Sequence, residues 1–399
     1  MQTSPKTALL IGGGIAGPAT ALALHTVGIE AVIYEAQDAS TPLNGAFLNL
    51  APNGVNILKT LGVASQVMAY GFPCPGITFH NASGKQVGEL NNDPEEERYG
   101  ARSVLIKRNL LHQALREEAT RRGIRIELGK RLRTIDEQSG KVVAHFEDGT
   151  EAVGDFLIGC DGIHSRTRAL ILPNAPQPEY TGLINFGGFA TGLGLPPTPL
   201  MQMVFGRRGF FGYSVTPTGE VYWFSNLPQP QEPERAALRA ISDDEWRQRL
   251  LDLHRDDPAP ILDILHAASG GFGKWPIYDL PSLPTWHDGP ICLIGDAAHA
   301  TSPHVGQGAS LALEDALVLA QCLRDASSLH GAFATFERLR KGRTEKLVAQ
   351  ARRTGASKVV SNPVQGWFRD LTLPFFLKLG AKSTEWVYAY KVDLNRQAA

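Results

Sequence analysis

Thr7-Ala-Leu-Leu-Ile-Gly-Gly-Gly-Ile-Ala-Gly-Pro-Ala-Thr-Ala-Leu-Ala-Leu-His-Thr26, answered by Glu35 further on, is the stretch whose reading decides the fold. Ala8 to Ile11 are apolar without alternation, as in a parallel strand covered on both faces. Gly12, Gly14 and Gly17 follow at G-x-G-x-x-G spacing, and a helical pattern runs on to Thr26. Gly12 suits the tight turn, Gly14 the close approach of backbone to a pyrophosphate, and Gly17 close helix–strand packing. The start of the helix offers unpaired N–H groups to phosphate. A second strand, Ala31–Tyr34, ends at Glu35, placed to accept hydrogen bonds from an adenosine ribose. Glycine clusters also mark ordinary turns, but here strand, helix and acid stand in the order a dinucleotide site needs. A secretory signal is the other reading of Ala8–Leu24. Only Lys6 precedes it, glycines interrupt it, and cleavage would remove the strand that pairs with Ala31–Tyr34.

Working outward, 399 residues exceed one ordinary core and imply two domains. The 39 basic and 40 acidic residues leave a formal charge of −1, with no surplus to attract nucleic acid or an anionic membrane. Cys74, Cys160, Cys292 and Cys322 are scattered, as buried free thiols of a cytoplasmic protein would be. No apolar run is long enough for a membrane span. The pattern predicts an α/β fold: a Rossmann-type dinucleotide domain over 1–75, 100–172 and 285–355, and a substrate domain over 76–99 and 173–284. A C-terminal helical segment follows over 356–399. Tyr180–Ala190, Leu200–Phe205, Gly209–Val215 and Glu220–Ser225 read as strands of one inserted antiparallel sheet. Asp93–Glu97 reads as a solvated acidic loop. The apolar tail Trp367–Leu379, broken by Pro374, is expected to pack between domains without stable membrane association.

Two further motifs carry chemistry: Cys160-Asp-Gly-Ile-His-Ser-Arg-Thr-Arg168 and Gly295-Asp-Ala-Ala-His-Ala-Thr-Ser-Pro-His-Val-Gly-Gln-Gly-Ala-Ser310. In each an aspartate directly follows a buried strand, at the sheet edge where ligands dock. Either aspartate alone would equally suit a helix or turn cap. The Gly306-Gln-Gly308 turn, ahead of a long helix, offers N–H donors to an anion or an electron-rich ring edge.

Together, GGGIAG with Glu35, C-DGIHSRTR and GDAAHATSPHVGQGASLALEDA resemble the single-component, FAD-dependent aromatic hydroxylases, the group with the para-hydroxybenzoate hydroxylase fold. The resemblance runs over nearly the whole chain and includes GAFLNLAPNGVNILKTLG and the Arg108 segment. It implies FAD held by Gly12, Gly14, Ala16 and Gly17 at the pyrophosphate, Glu35 with Ala36 at the adenosine ribose, and Arg108 at phosphate or ribose. It further implies Asp296 on the ribityl chain, Pro303 beside the flavin face, and Gly306, Gln307, Gly308 and Ala309 by the isoalloxazine. Asp161, Gly162, Ser165 and Arg168 match a motif associated with both FAD and NAD(P)H. Where relatives often carry an arginine ahead of Gly45-Ala46, this chain has Leu43-Asn44. The chemistry implied is hydride transfer from NAD(P)H to flavin, reaction with O2 to a C4a-hydroperoxide, and transfer of one oxygen to an electron-rich carbon. No second dinucleotide fingerprint is present, in keeping with NAD(P)H as a transient visitor.

For a small aromatic substrate the wall candidates are Phe205, Arg207, Phe211, Tyr213, Tyr222, Phe224 and Asn226, although alternating aromatics also build cores. Arg207 would anchor a carboxylate, His304 would take a phenolic proton, and Tyr213 is a third catalytic candidate. His299 and His304 lack the spacing of paired ligands on one helix face, so no metal is expected. No G-x-S-x-G elbow supports a hydrolase. A same-fold epoxidase or reductase, or a non-catalytic nucleotide-binding module, are the alternatives. A halogenase is disfavoured, because Trp275-Pro-Ile277 stands without the W-x-W-x-I-P pattern. Either a monomer or a homodimer suits the composition.

Overall fold

The computed structural model describes residues 6–38, 47–268, 271–358, 370–373 and 385–398. Leu43-Asn44 and Gly45-Ala46, and most of Trp367–Leu379, lie outside the described residues.

Six strands form the central sheet, in the order β18 (His287–Asp288), β19 (Ile291–Leu293), β12 (Phe156–Gly159), β1 (Thr7–Ile11), β2 (Glu30–Tyr34), β8 (Arg125–Glu127). All pairings are parallel except β18–β19. Ile11 stands opposite Gly159 and Tyr34, and Gly159 opposite Leu293, so four strands end side by side. Parallel strands covered on both faces must be apolar throughout, and Ala8–Ile11 and Phe156–Gly159 are buried along their length. On one face lie α1 (Ala16–Thr26), α2 (Pro52–Leu61), α3 (Arg108–Arg121) and the 308–325 helix. On the other lies a meander of β9 (Leu132–Gln138), β10 (Lys141–Phe146) and β11 (Glu151–Gly154). There Phe146 stacks on Tyr34 at 4.9 Å between centroids. α1 is buried from Ala16 to Leu24; its alanines and Gly17 leave no bulk between it and its neighbours.

A seven-stranded sheet has the order β17 (Gly273–Asp279), β13 (Glu179–Ala190), β16 (Val221–Pro228), β15 (Phe210–Val215), β14 (Met201–Phe205), β5 (Gly76–His80), β6 (Gln86–Asn91). It is antiparallel except for the β14–β5 pair, which joins residues 76–91 to the later strands. A small sheet of β3 (Phe47–Leu50), β7 (Val104–Lys107) and β4 (Phe72–Pro73) sits between the two large ones.

The period of two sorts the large sheet's aromatics onto opposite faces. Phe186, Phe211 and Trp223 are buried on the outer face beneath helices 243–253 and 261–267, with Tyr213 packed against them. Tyr222 is buried on the inner face, where Phe189, Phe224 and Met203 meet Phe47, Phe72 and Cys74. Two wall candidates are therefore corrected: Phe211 and Tyr213 belong to the helix-covered core, one residue out of step with the inner row. Burial raises the Tyr213 phenol pKa and so favours its neutral form. A second correction concerns Asp93–Glu97. Residues Glu95–Tyr99 form a short helix, and Glu95 is buried, accepting hydrogen bonds from Ser103 N (2.6 Å) and Ser103 Oγ (2.7 Å). Burial raises its pKa against those hydrogen bonds. All four cysteines are buried and free.

Under the outer helices Ser225 Oγ lies 2.7 Å from His254 Nε2, and His254 Nδ1 2.7 Å from Asp257 Oδ2. All three side chains are buried, so this Ser–His–Asp chain ties β16 to the loop after the 243–253 helix without access to solvent. Phe211 lies against it, 5.2 Å from the His254 ring and stacked on Trp223 at 5.9 Å. Phe211→Ala is expected to lose about 3–5 kcal/mol of stability, seen as a lowered thermal midpoint, with the ligand-binding properties of the folded protein unchanged. A variant of normal stability would return Phe211 to the chamber wall.

Candidate active site

The glycine turn after β1 has the geometry its spacing implies. Gly12 has φ +109°, and a Cβ there would meet the Cys160 carbonyl oxygen at 2.5 Å. Gly17 packs on the Gly12 carbonyl, leaving no space for a side chain. Gly14 faces open space, with nothing within 4 Å of a Cβ position. Two glycines thus close the turn while the third keeps a hollow at the start of α1. Glu35 accepts hydrogen bonds from Gly13 N (2.6 Å) and Gln37 N (2.8 Å), holding its carboxylate beside that turn. Arg108, exposed, is the first residue of α3.

The second and third motifs meet the first through the sheet register. Cys160 N donates to Ile11 O, and Ile294 N to Gly159 O. Arg168 is buried and donates to Ile163 O (2.7 Å) and across to Ala297 O (2.9 Å), joining the two later motifs. The two strand-end aspartates differ. Asp161 accepts from Ser165 Oγ, Thr167 N and Thr167 Oγ1 at 2.6–3.0 Å and so organises the start of α4 (Arg166–Ile171). Asp296 opens a helical turn, Asp296–His299, and its half-buried carboxylate has no hydrogen-bond partner among the described residues. Asp161 therefore behaves as the cap, and Asp296 is the carboxylate available to a ligand.

Pro303 begins a 3-10 turn that ends at Gly306 (φ +63°), and the helix Gly308–Asp325 starts behind Gln307. Its first N–H groups, on Gly308 and Ala309, have no partner within the helix, and Gln307 supplies no side-chain cap. Nearby, Ser302 Oγ, Ser310 Oγ and Asn53 Oδ1 are buried without hydrogen-bond partners among the described residues. Together with the Gly14 hollow, these donors and acceptors fit a long, polar, phosphate-bearing ligand that lies across three strand ends.

The FAD binding domain family matches residues 6–351. The chain belongs to the FAD-dependent aromatic hydroxylase family. Among its relatives, the FAD-dependent urate hydroxylase of Klebsiella oxytoca is 30% identical over 377 residues, covering 91% of this chain and 94% of the relative. The 6-hydroxynicotinate 3-monooxygenase of Bordetella bronchiseptica is 30% identical over 353 residues, covering 87% and 89%. The structure of Klebsiella pneumoniae HpxO complexed with FAD and uric acid superposes with a TM-score of 0.85 at 26% identity, covering 95% of this chain and 96% of that one. FAD is the cofactor of this hydroxylase-family protein.

Behind that helix start is an ionic network that the motifs did not reveal. Asn53 Nδ2 donates to Gln307 Oε1 (3.0 Å) and to Glu314 Oε1 (2.7 Å). Glu314 is also held by Arg340 (2.7 Å) and Arg343 (2.8 and 2.9 Å). Asp315 takes Arg340 Nε (2.7 Å), Gly295 N (2.9 Å) and His299 Nε2 (2.5 Å). Arg343 reaches on to the carbonyls of Trp386 and Val387. The available signal was two adjacent acids inside the otherwise apolar helix Ala309–Leu323, where unpaired carboxylates are not tolerated.

Of the remaining candidates, Phe205, Phe224, Tyr222 and Asn226 share the inner face. Rings link into a band there: Phe79–Phe205 (5.9 Å), Phe205–Phe210 (5.2 Å), Phe210–Phe224 (6.0 Å), Phe47–Tyr222 (5.4 Å) and Phe189–Tyr222 (4.9 Å). Arg207 is exposed in the β14–β15 turn, where its backbone N donates to Asp257 Oδ1. The His304 ring packs on Gly355 of the helix Leu329–Lys358, which turns it toward the C-terminal helix. No group of three or more His, Cys, Asp or Glu among the described residues is arranged to hold a metal ion.

Two expectations follow. Asp296→Ala should fold normally and purify with at least about tenfold weaker FAD affinity, the loss of a charge-assisted hydrogen bond, measured by ultrafiltration and visible absorbance. Full flavin occupancy with unchanged affinity would remove Asp296 from the site. Burial pushes the Asp315 carboxyl pKa up, but the charges of His299 and Arg340 and their hydrogen bonds outweigh it, bringing it to about 2 from 3.8. A depressed carboxylate pKa adds stability above the unfolded value and loses it as pH falls through the folded one. Stability should therefore drop between about pH 4 and pH 2, and Asp315→Asn should be less stable at pH 7 by about 3–5 kcal/mol with a flatter acid limb.

Proposed function

We propose that this protein is an NAD(P)H- and FAD-dependent monooxygenase that hydroxylates an aromatic or polycyclic small molecule. The carrying observation is the inner-face aromatic band, set against the small sheet that leads directly into the flavin-binding elements through β3 and α2. FAD, when bound, accepts hydride and activates O2. The chain's own residues do the rest. Aromatic walls stack a planar ring and keep water out, and the N–H groups at Gly308 and Ala309 favour negative charge on the ligand edge beside them. Tyr222 stays a neutral phenol, its pKa raised by burial and then by Glu220.

Relatives named for urate and 6-hydroxynicotinate support a ring substrate of that size class. Glu35 and Arg108 serve the adenosine half of FAD, and Asp296 the ribityl chain. Residues 1–75, 100–172 and 285–355 act as the cofactor domain, with 76–99 and 173–284 as the substrate domain. NAD(P)H docks transiently, since the chain has one glycine fingerprint and that one is taken by FAD.

The test is a screen of aromatic and heteroaromatic compounds against the yellow protein. A substrate should accelerate NAD(P)H oxidation and O2 uptake together and emerge heavier by one oxygen atom. Oxidation of NAD(P)H that reduces the added compound without O2 uptake would make the protein a reductase. An epoxide product would make it an epoxidase.

A further inference from the structure

The inner face is apolar apart from a few polar side chains, and these divide into satisfied and unsatisfied groups. Lys107 Nζ stands 4.4 Å over the Phe189 ring and pairs with Glu220 Oε1 at 2.8 Å, so both charges are met. Asn226 differs. It lies on β16 directly opposite Asn185 of β13 and Phe210 of β15, on the same face as Tyr222 and Phe224. Its Nδ2 donates to Asn185 Oδ1 at 2.8 Å, which fixes the plane and sense of the amide. Its Oδ1 is buried and has no hydrogen-bond partner among the described residues, in a residue only 2% exposed. On the small sheet packed against that face, Asn49 of β3 shares a strand face with Phe47, whose ring is 6.2 Å from Phe224, and its Oδ1 is also buried without a partner among the described residues.

Two carbonyl acceptors left unmet where the two aromatic layers meet are costly unless something supplies donors. We infer that Asn226, held by Asn185, is a specificity-determining residue that accepts a hydrogen bond from a ring N–H or O–H of the substrate, with Asn49 receiving a donor from the opposite wall. The substrate class is thereby narrowed to planar rings bearing donors, such as hydroxylated aromatics or lactam-type nitrogen heterocycles. The same rings in methylated form, having only acceptors, are excluded. This inference rests on the ring-hydroxylating reading of the chamber. A carbonyl that loses its donor leaves a buried group unpaired, which discriminates against an analogue lacking that donor.

The test titrates the flavin-loaded protein, by flavin absorbance changes, with two matched pairs: 2-hydroxypyridine against 2-methoxypyridine, and 1-naphthol against 1-methoxynaphthalene. Wild-type protein should bind the donor member of at least one pair about tenfold more tightly, the scale of one buried hydrogen bond. Asn226→Leu should bring that pair within about threefold while FAD affinity stays unchanged. Asn185→Leu, which frees the amide to turn, should give an intermediate loss. Equal binding within both pairs, no perturbation by any probe, or discrimination that survives Asn226→Leu would each overturn the role of Asn226. Donor discrimination that depends on Asn226, in a protein that never couples NAD(P)H oxidation to O2 uptake, would sustain that role and remove the monooxygenase reading instead.

Discussion

Three parallel strands end in register, and most of the site follows from that constraint. Because Ile11, Gly159 and Leu293 stand side by side, the segments after them leave the sheet at a single edge. Motifs about 140 residues apart in sequence become neighbours there through the backbone register, with Arg168 as the side chain that bridges the two later ones. The contacts that remain are short and leave little choice of residue. Gly12 touches the Cys160 carbonyl, Gly17 touches Gly12, and Arg168 crosses to Ala297. A side chain on Gly12 or Gly17 would push the strand ends apart and open the hollow at Gly14.

The helix that starts at Gly308 is held from behind. Its acids Glu314 and Asp315 would be intolerable in an apolar layer unless paired, and Arg340, Arg343 and His299 supply the pairing. Asn53 then carries the arrangement forward to Gln307, at the start of that helix. The start of this helix is therefore coupled to the long Leu329–Lys358 helix and, through Arg343, to the carbonyls of Trp386 and Val387. Pairing of this kind adds little net stability but fixes one arrangement, because any partial break leaves a buried charge.

Much of this was legible in the sequence because it is local. The glycine spacing, the strand-end aspartates and the turn before Gly308 each depend on a few consecutive residues. The family resemblance rests on the same local signals. What stayed hidden depends on facing. Phe211 and Phe210 are adjacent, and only the strand pairing shows that Phe210 joins the inner row while Phe211 lies under the outer helices. Asp161 and Asp296 occupy equivalent places, yet only three-dimensional contacts separate the helix cap from the open carboxylate. Arg340 and Arg343 stand among other basic residues in sequence, and their burial depends on acids some 25–29 residues earlier. Glu95 sat in an acidic run whose other members are solvated, and nothing in that run marked the one residue that turns inward.

The parallel pairing of β14 with β5 bears on how the molecule can be dissected. The late strands look self-sufficient in sequence, but they complete their sheet with two strands made much earlier in the chain. Cutting out 173–284 for separate expression would strip β14 of its neighbour and leave a row of bare backbone donors and acceptors open to any passing strand. Such a fragment would tend to stick to itself, and its insolubility would say nothing about the quality of its core. The sheet belongs to the chain as a whole, stitched at both ends of the sequence that encloses it.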